Sequence, residues 1–214
     1  MHYVVHVFHQ ADDDLDDIMS PFYEELEVEP YKEYTSRKSF DSAVKWFAEK
    51  KETFESTEKM LEQWHGGEHF FDGELSNVLD EEADTGYYSW TTQNPNSHWD
   101  WWVVGGRWKN YFTHEDSEDT GKNTVTVAEA LEFMLSFATD EDLTTKFKDI
   151  GPYAYLTLEG EWIGRQKYNP NGEGYDEENP NSIFPNNDDY MYVNYLKHVQ
   201  SIPGLLVTTI DVHS

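Results

Sequence analysis

The chain contains no cysteine, few basic residues and no long apolar run. The absence of cysteine excludes disulfides, thiol catalysis and thiolate metal sites. No stretch approaches the ~18 apolar residues needed to cross a membrane. The N-terminal segment 1–8 also lacks the basic start and long apolar run of a secretory signal peptide. We therefore expect a soluble, cytoplasmic protein that does not bind membranes.

Positive charge is scarce throughout the sequence. Lys and Arg together number 15 against 43 Asp and Glu, which gives the 214 residues a formal net charge of −28. Direct binding to nucleic acid or to an anionic membrane requires a basic patch, so neither is expected. The aromatic content of 16% nevertheless indicates a folded core, because disordered acidic chains are poor in aromatic residues.

Three interpretations of the acidic surface remain open. Self-repulsion can keep the protein soluble, or the composition can reflect adaptation to a salty cell. Alternatively, carboxylates can imitate the phosphates of DNA, which recur every ~1.7 Å along the axis, and dock into a basic groove of another protein. The candidate partner-binding residues lie in four acidic clusters: Asp12, Asp13, Asp14, Asp16 and Asp17; Glu24, Glu25 and Glu27; Asp80, Glu81, Glu82 and Asp84; and Glu115, Asp116, Glu118 and Asp119.

A tryptophan-rich segment at 94–108 holds four of the eight tryptophans and one of only three arginines. A guanidinium can bind phosphate or carboxylate in a bidentate manner and stack on aromatic rings, and glycine permits close backbone approach. The segment therefore predicts a ligand site comprising Trp99, Trp101, Trp102, Gly105, Gly106, Arg107 and Trp108. The alternative is a hydrophobic anchor in which Arg107 pairs with Asp100.

Three sequence blocks resemble an uncharacterised family of bacteriophage and prophage proteins. They are the segment 94–108, which follows the pattern N-P-N-S-x-W-D-W…G-G-R-W, the early block 21–35 (P-F-Y-E-E-L-E-V-E-P-Y-K-E-Y-T), and the closing strand 208–214 (T-T-I-D-V-H-S). The family usually ends in D-C-H, and Val212 stands where it has Cys. The resemblance implies a phage protein acting in the cytoplasm of an infected bacterial host, and it implies no particular activity.

The hydrophobic pattern predicts an α+β fold with one domain over 1–214, in which a central antiparallel or mixed sheet includes both terminal strands and is flanked by helices and long acidic loops. A ferredoxin-like order would place the terminal strands side by side. Helical spacing covers 36–64, weakening near 52–58 so that two helices are possible. Thr126 and Glu129 form a capping box before a further helix. Segment 152–166 reads as a hairpin and 188–201 as a helix, whereas 68–98 looks irregular and 169–187 reads as an acidic loop.

Histidines near both chain ends suggest a second site. If the terminal strands pair, His2 and His6 on one strand face Asp211 and His213 on the other. These four residues could bind Zn²⁺, Mn²⁺ or Fe²⁺, act as a general acid–base pair, or simply be partly buried histidines. His65 and His69, with Asp72 nearby, have metal-ligand spacing, but the intervening Gly66-Gly67 disfavours a helix there.

The combined features favour a non-enzymatic function. We expect an acidic inhibitor that serves as a nucleic-acid mimic in phage counter-defence. It would occupy the basic nucleic-acid-binding surface of a host defence or DNA-processing protein, such as a CRISPR effector or a nuclease. The alternative is a nucleotide-binding sponge or a metal-dependent nucleotide-cleaving enzyme that acts on a defence signal, and a virion component is a third possibility. No P-loop or dinucleotide fingerprint occurs, so no cofactor is predicted.

Overall fold

The computed structural model describes residues 1–73, 83–113, 122–139, 151–164 and 187–214. The chain forms two compact units: Met1–Glu24 with Asn96–Ser214, and Glu25–Pro95. Whether both belong to the single domain predicted over 1–214 stays a prediction. Nearly all of the predicted acidic loop 169–187 lies outside the described residues.

Strands and helices are interspersed along the described segments of the chain. The strands are β1 (His2–His9), β2 (Tyr31–Ser36), β3 (Phe70–Phe71), β4 (Asp84–Thr91), β5 (Trp101–Val104), β6 (Thr124–Thr126), β7 (Ala154–Leu156), β8 (Trp162–Gly164) and β9 (Leu206–His213). The helices are α1 (Leu15–Met19), α2 (Arg37–Lys50), α3 (Thr57–His65), α4 (Val127–Thr139) and α5 (Asn187–Val199), with 3₁₀ turns at Ser20–Phe22 and Gly106–Trp108. In the described part, no helix is both long and apolar enough to span a membrane.

The first unit is built on a mixed sheet with the strand order β5-β9-β1-β7-β8, and β6 also pairs with β9. The terminal strands β1 and β9 are antiparallel neighbours from His2↔His213 to His9↔Leu206, whereas β1 and β7 run parallel. This arrangement confirms the predicted α+β fold and the mixed sheet that includes both chain ends. Burial on both faces explains why the central strands β1 and β9 are rich in valine.

Each face of this sheet carries its own hydrophobic core. On one face, Phe8 and Val207 pack with residues of α4 and α5, including Met134 and Leu196. On the other face, the buried side chains Val5, Val7, Ile210 and Val212 pack with Met19 and Phe22. Helix α4 begins with the predicted capping box: the Glu129 carboxylate accepts from the Thr126 N–H at 2.8 Å, and the Thr126 hydroxyl accepts from the Glu129 N–H at 3.2 Å.

The second unit combines α2 and α3 with the three-stranded sheet β2-β4-β3. The predicted helical stretch is therefore two helices, which end at left-handed residues Lys51 and Gly66. The expectation that 68–98 is irregular is wrong for β3 and β4. Aromatic residues on both faces of β4 hide the polar–apolar alternation that identifies a strand: Tyr87 stacks on Phe40, whereas Tyr88 lies beside Trp90 on the opposite face.

Candidate active site

Pairing of the terminal strands brings two histidines together at one end of the first sheet. His2 is the direct partner of His213 across β1 and β9, and Trp101 is the partner of His213 across β5 and β9. The ring centroids of His2 and His213 lie 4.9 Å apart, and the Trp101 ring meets His2 edge-on at 5.9 Å. The predicted approach of the two chain-end histidines is thus present in the fold.

A buried carboxylate orients the first of these histidines. The Nδ1 atom of His2 lies 2.8 Å from the Asp211 Oδ1 atom, and Asp211 is only 2% exposed. The other carboxylate oxygen of Asp211 accepts a 2.9 Å hydrogen bond from the Arg107 backbone N–H. Both oxygens are therefore engaged, which fixes the direction of the His2 ring.

A second carboxylate orients His213. The Nδ1 atom of His213 lies 2.7 Å from the Asp100 Oδ1 atom and 3.0 Å from the Asp100 Oδ2 atom. Both side chains are partly exposed. A carboxylate acceptor favours the tautomer with the proton on Nδ1. Each imidazole is thus left with a free Nε2, since neither Nε2 atom has a hydrogen-bond partner within the described ranges. The result is two neighbouring His–Asp dyads.

The Gly105-Gly106-Arg107 turn closes over the buried dyad. Gly106 has φ +50°, and a Cβ added to it would lie 2.3 Å from the Asp211 Cβ. The predicted close backbone approach therefore exists, but it is made to Asp211. The Arg107 side chain is exposed, and Asp100, its expected partner, is taken by His213. The guanidinium has no ion-pair partner among the residues that the structure describes.

The tryptophan-rich segment divides into anchoring and exposed side chains. Trp99 donates from Nε1 to the Met19 carbonyl at 3.0 Å and stacks on Tyr23 at 4.7 Å. Trp102 packs against the core that contains Val212, and Trp108 is half-buried. Trp101, in contrast, is 49% exposed beside His2. The predicted hydrophobic anchor and the predicted surface site therefore share this segment.

His6 does not join His2, Asp211 and His213. It is fully buried and lies 2.5 Å, through Nδ1, from the Tyr192 hydroxyl. Burial lowers the pKa of His6 from 6.5 to about 3 and raises that of Tyr192 well above 10.0. The predicted four-residue metal site is thus not assembled, because β1 carries His6 too far along the strand. No group of three potential metal ligands forms in the described part of the chain.

The second predicted histidine pair lies in a cleft of the other unit. The rings of His65 and His69 stack with centroids 5.0 Å apart in a cavity of ≈750 Å³ whose lining includes Glu33 and Glu68. Burial, followed by the charge of His69, lowers the pKa of His65. Asp72, the expected third member, instead contacts Lys32 and Tyr34. Asp72 directly follows β3, which pairs with β4, and its carboxylate there meets the side chains of Lys32 and Tyr34 on β2.

The acidic clusters are exposed wherever the structure describes them. This applies to Asp12, Asp13, Asp14, Asp16, Asp17, Glu24, Glu25, Glu27 and Asp84. Asp14 also caps α1 by accepting from the Asp16 N–H at 2.9 Å. The remaining predicted partner-binding residues lie outside the described part of the chain: Asp80, Glu81, Glu82, Glu115, Asp116, Glu118 and Asp119.

Sequence reasoning missed the partnership between Asp100 and His213, which are 113 positions apart. It assigned Asp100 to Arg107 because the two are close in the chain. Only the pairing of β5 with β9 could have indicated the actual partner. Comparison of the chain with protein-family models, curated proteins and solved structures gives no match. The site is therefore interpreted from its chemistry.

Proposed function

We propose that the two dyads form a general acid–base site that hydrolyses a phosphate ester of a nucleotide. The observation that carries this proposal is the pair of adjacent imidazoles, each held through Nδ1 by its own carboxylate. A carboxylate in that position orients the ring and stabilises the imidazolium that forms during proton transfer. Nε2 is then available for a proton on the substrate side.

Two such imidazoles can perform complementary proton transfers. One imidazole, unprotonated at Nε2, accepts a proton from water as the water oxygen bonds to phosphorus. The other, protonated at Nε2, donates its proton to the leaving oxygen as the phosphorus–oxygen bond breaks. One water is consumed per ester cleaved, and proton exchange with solvent restores the starting states. General acid–base groups of this kind contribute ~10²–10⁴-fold each.

Two neighbouring groups support a nucleotide as the ligand. Arg107, whose backbone contacts Asp211, carries an unpaired guanidinium in the described part of the chain, and guanidinium groups bind phosphate in a bidentate manner. The exposed Trp101 ring beside His2 supplies a stacking surface for a base. A nucleotide that serves as a defence signal in the infected host would fit both these binding groups and the expected phage origin of the chain.

The test is hydrolysis of bis(4-nitrophenyl) phosphate and of linear and cyclic nucleotides, measured with EDTA present. We expect His2→Gln and His213→Gln each to lower kcat/KM by ~10²–10⁴-fold. The double variant should lose little more, because groups that act as a unit are non-additive. Exposed His198 offers the matched control His198→Gln, which should retain full activity.

Two results would contradict acid–base catalysis at this site. One is unchanged hydrolysis in both single-histidine variants. The other is activity that EDTA abolishes and Mn²⁺ or Zn²⁺ restores, which would favour the metal-dependent alternative. Nucleotide binding without turnover in the wild-type protein would instead indicate a sponge.

A second candidate function is the acidic inhibitor of a host defence or DNA-processing protein. The observation that favours it is the exposed run Asp12–Asp17, whose five carboxylates pair with no Lys or Arg side chain among the described residues. Unpaired surface carboxylates are available to a basic groove and give fast, salt-sensitive association. Carboxylates that lie close together on the surface can occupy the positions in such a groove that the phosphates of nucleic acid would otherwise take.

This candidate is tested by capture from the lysate of a bacterial host with active defence systems. We expect a nucleic-acid-binding protein to be retained at low salt and released at high salt. The variant Asp12→Asn/Asp16→Asn/Asp17→Asn should lose it, whereas the equally neutralised control Asp41→Asn/Glu49→Gln/Glu55→Gln should not. Equal capture by both variants would refute a role for this cluster.

A further inference from the structure

Strand β5 is an open edge of the first sheet. It pairs with β9 on one side, and within the described ranges no strand pairs with its other side. Edge strands are commonly protected from further pairing by lysine or proline. The β5 sequence, Trp101-Trp102-Val103-Val104, contains neither. The edge is therefore short and apolar, and the chain just before it, at His98 and Trp99, is already bonded to segment 22–24.

The hydrogen-bond phase identifies which backbone groups face outward. Directly after β9, the Ser214 N–H donates to the Met1 carbonyl, so every second residue counted back from Ser214 along β9 bonds to β1. The residues between them bond to the β5 side, since the Thr209 carbonyl accepts from the Gly105 N–H at 2.9 Å and the register pairs Val103 with Asp211 and Trp101 with His213. Trp101 and Val103 thus face β9, and the backbone groups of Trp102 and Val104 face the open side.

A groove of ≈520 Å³ runs along this edge. It is lined by all four β5 residues together with Asp16, Tyr23, Trp99 and Asp100. Val103 and Val104 are each 38% exposed and Trp101 is 49% exposed. The groove therefore offers apolar contact area, two outward-facing peptide units and two carboxylates. These are the elements by which an extended peptide adds a strand to a sheet.

We propose that the open edge of β5 docks an extended, lysine- or arginine-bearing segment of another protein as an added strand. Charge selects this occupant. Asp16 and Asp100 line the groove of a chain with formal net charge −28, so a basic segment is attracted. A second copy of the chain would bring an equal negative charge and is repelled. This surface uses the backbone of β5 and does not depend on proton transfer by the dyads.

The direct test uses the peptide Ac-Lys-Val-Lys-Val-Lys-Val-NH₂ as a probe, with binding followed by isothermal titration calorimetry. The variant Val104→Pro removes one outward N–H without removing a bond to β9, and proline is tolerated on the open side of an edge strand. We expect at least a tenfold loss of affinity in Val104→Pro and little change in Val104→Ala. Hydrogen exchange of the Trp102 amide should slow when wild-type protein binds the peptide.

Probe variants keep the test decisive if Val104→Pro fails to fold. The same peptide with N-methylated valines lacks alternate donors and should bind at least tenfold more weakly to wild-type protein. The Glu-Val counterpart should also bind at least tenfold more weakly because its charge is reversed. Equal affinity for the N-methylated peptide would overturn strand addition, and equal affinity for the Glu-Val peptide would overturn charge selection.

Two further measurements separate this proposal from its alternatives. A dimer in sedimentation at micromolar concentration, abolished by Val104→Pro, would assign the edge to a second copy and overturn a basic partner. His2→Gln, whose carboxylate partner Asp211 does not line the groove, should bind the Lys-Val peptide as wild type does. Loss of hydrolysis with retained peptide binding therefore reports on the dyads alone, whereas the reverse pattern reports on the edge alone.

Discussion

The close contact between Gly106 and Asp211 predicts a severe effect of adding a single methyl group. In Gly106→Ala, the new Cβ would lie 2.3 Å from the Asp211 Cβ and 2.5 Å from Oδ2. These atoms belong to a side chain that is 2% exposed and held at both oxygens, so it has little freedom to move. The 3₁₀ turn at Gly106–Trp108 must lift away instead.

The expected magnitude follows from two contributions. A left-handed backbone costs a residue with a Cβ about 1–2 kcal/mol. Loss of the Arg107 N–H bond to a charged carboxylate removes about 1.5–3 kcal/mol. Gly106→Ala should therefore lower the free energy of unfolding by about 2.5–5 kcal/mol. Urea unfolding followed by tryptophan fluorescence and by circular dichroism measures this change directly.

Gly160 provides the matched control for Gly106. It has φ +80° but no atom within 4 Å of an added Cβ, so Gly160→Ala carries only the backbone contribution. We expect this control to lose about 1–2 kcal/mol. If Gly106→Ala lost no more stability than Gly160→Ala, the turn would not be packed against Asp211 as described, and the first dyad would lack its fixed carboxylate.

Three other predictions concern protonation, capping and ionic strength. Burial holds the pKa of His6 at about 3 in the folded state against 6.5 ordinarily, so the unfolded chain takes up a proton that the folded chain does not as the pH falls below about 6.5. The buried histidine should therefore make the free energy of unfolding fall by about 1.4 kcal/mol for each pH unit between about pH 6 and 4. His6→Gln should abolish this contribution to the pH dependence, as measured by urea unfolding at several pH values. Thr126→Ala should cost about 1 kcal/mol in the same assay, whereas Thr126→Ser should retain the capping bond to Glu129. Added salt should weaken binding of the Lys-Val peptide, and a salt-independent affinity for this peptide would contradict charge selection.

Much of the first unit could be predicted because its signals are local. The apolar segments at both chain ends predict strands of one sheet, and the structure shows that these strands, β1 and β9, are direct neighbours. Thr126 and Glu129 form a capping box, a motif that can be recognised within a single window of four residues. The structure contains both of its reciprocal hydrogen bonds. In these cases the local pattern and the tertiary packing favour the same structure.

The missed features depend on long-range pairing. Strand β4 carries Tyr87 on the face packed against Phe40 and Tyr88 on the other face, so hydrophobicity does not alternate. The dyad of Asp100 and His213 exists only because β5 lies beside β9. Local reasoning paired Asp100 with Arg107, which is nearer in sequence. The position of β5 at the sheet edge likewise follows from strand order, which no spacing of residues indicates.

The strong overall acidity of the chain does not determine whether the ligand of the dyads carries positive or negative charge. Each ring is already bonded to one of the nearby carboxylates, His2 to Asp211 and His213 to Asp100. The unpaired guanidinium of Arg107 then adds positive charge beside them. More distant carboxylates act through solvent, where their fields are screened over ~8 Å at physiological ionic strength. The proposed binding of one small phosphate ester at this strand end is therefore compatible with the acidic surface, because affinity there depends on the few charges in direct contact.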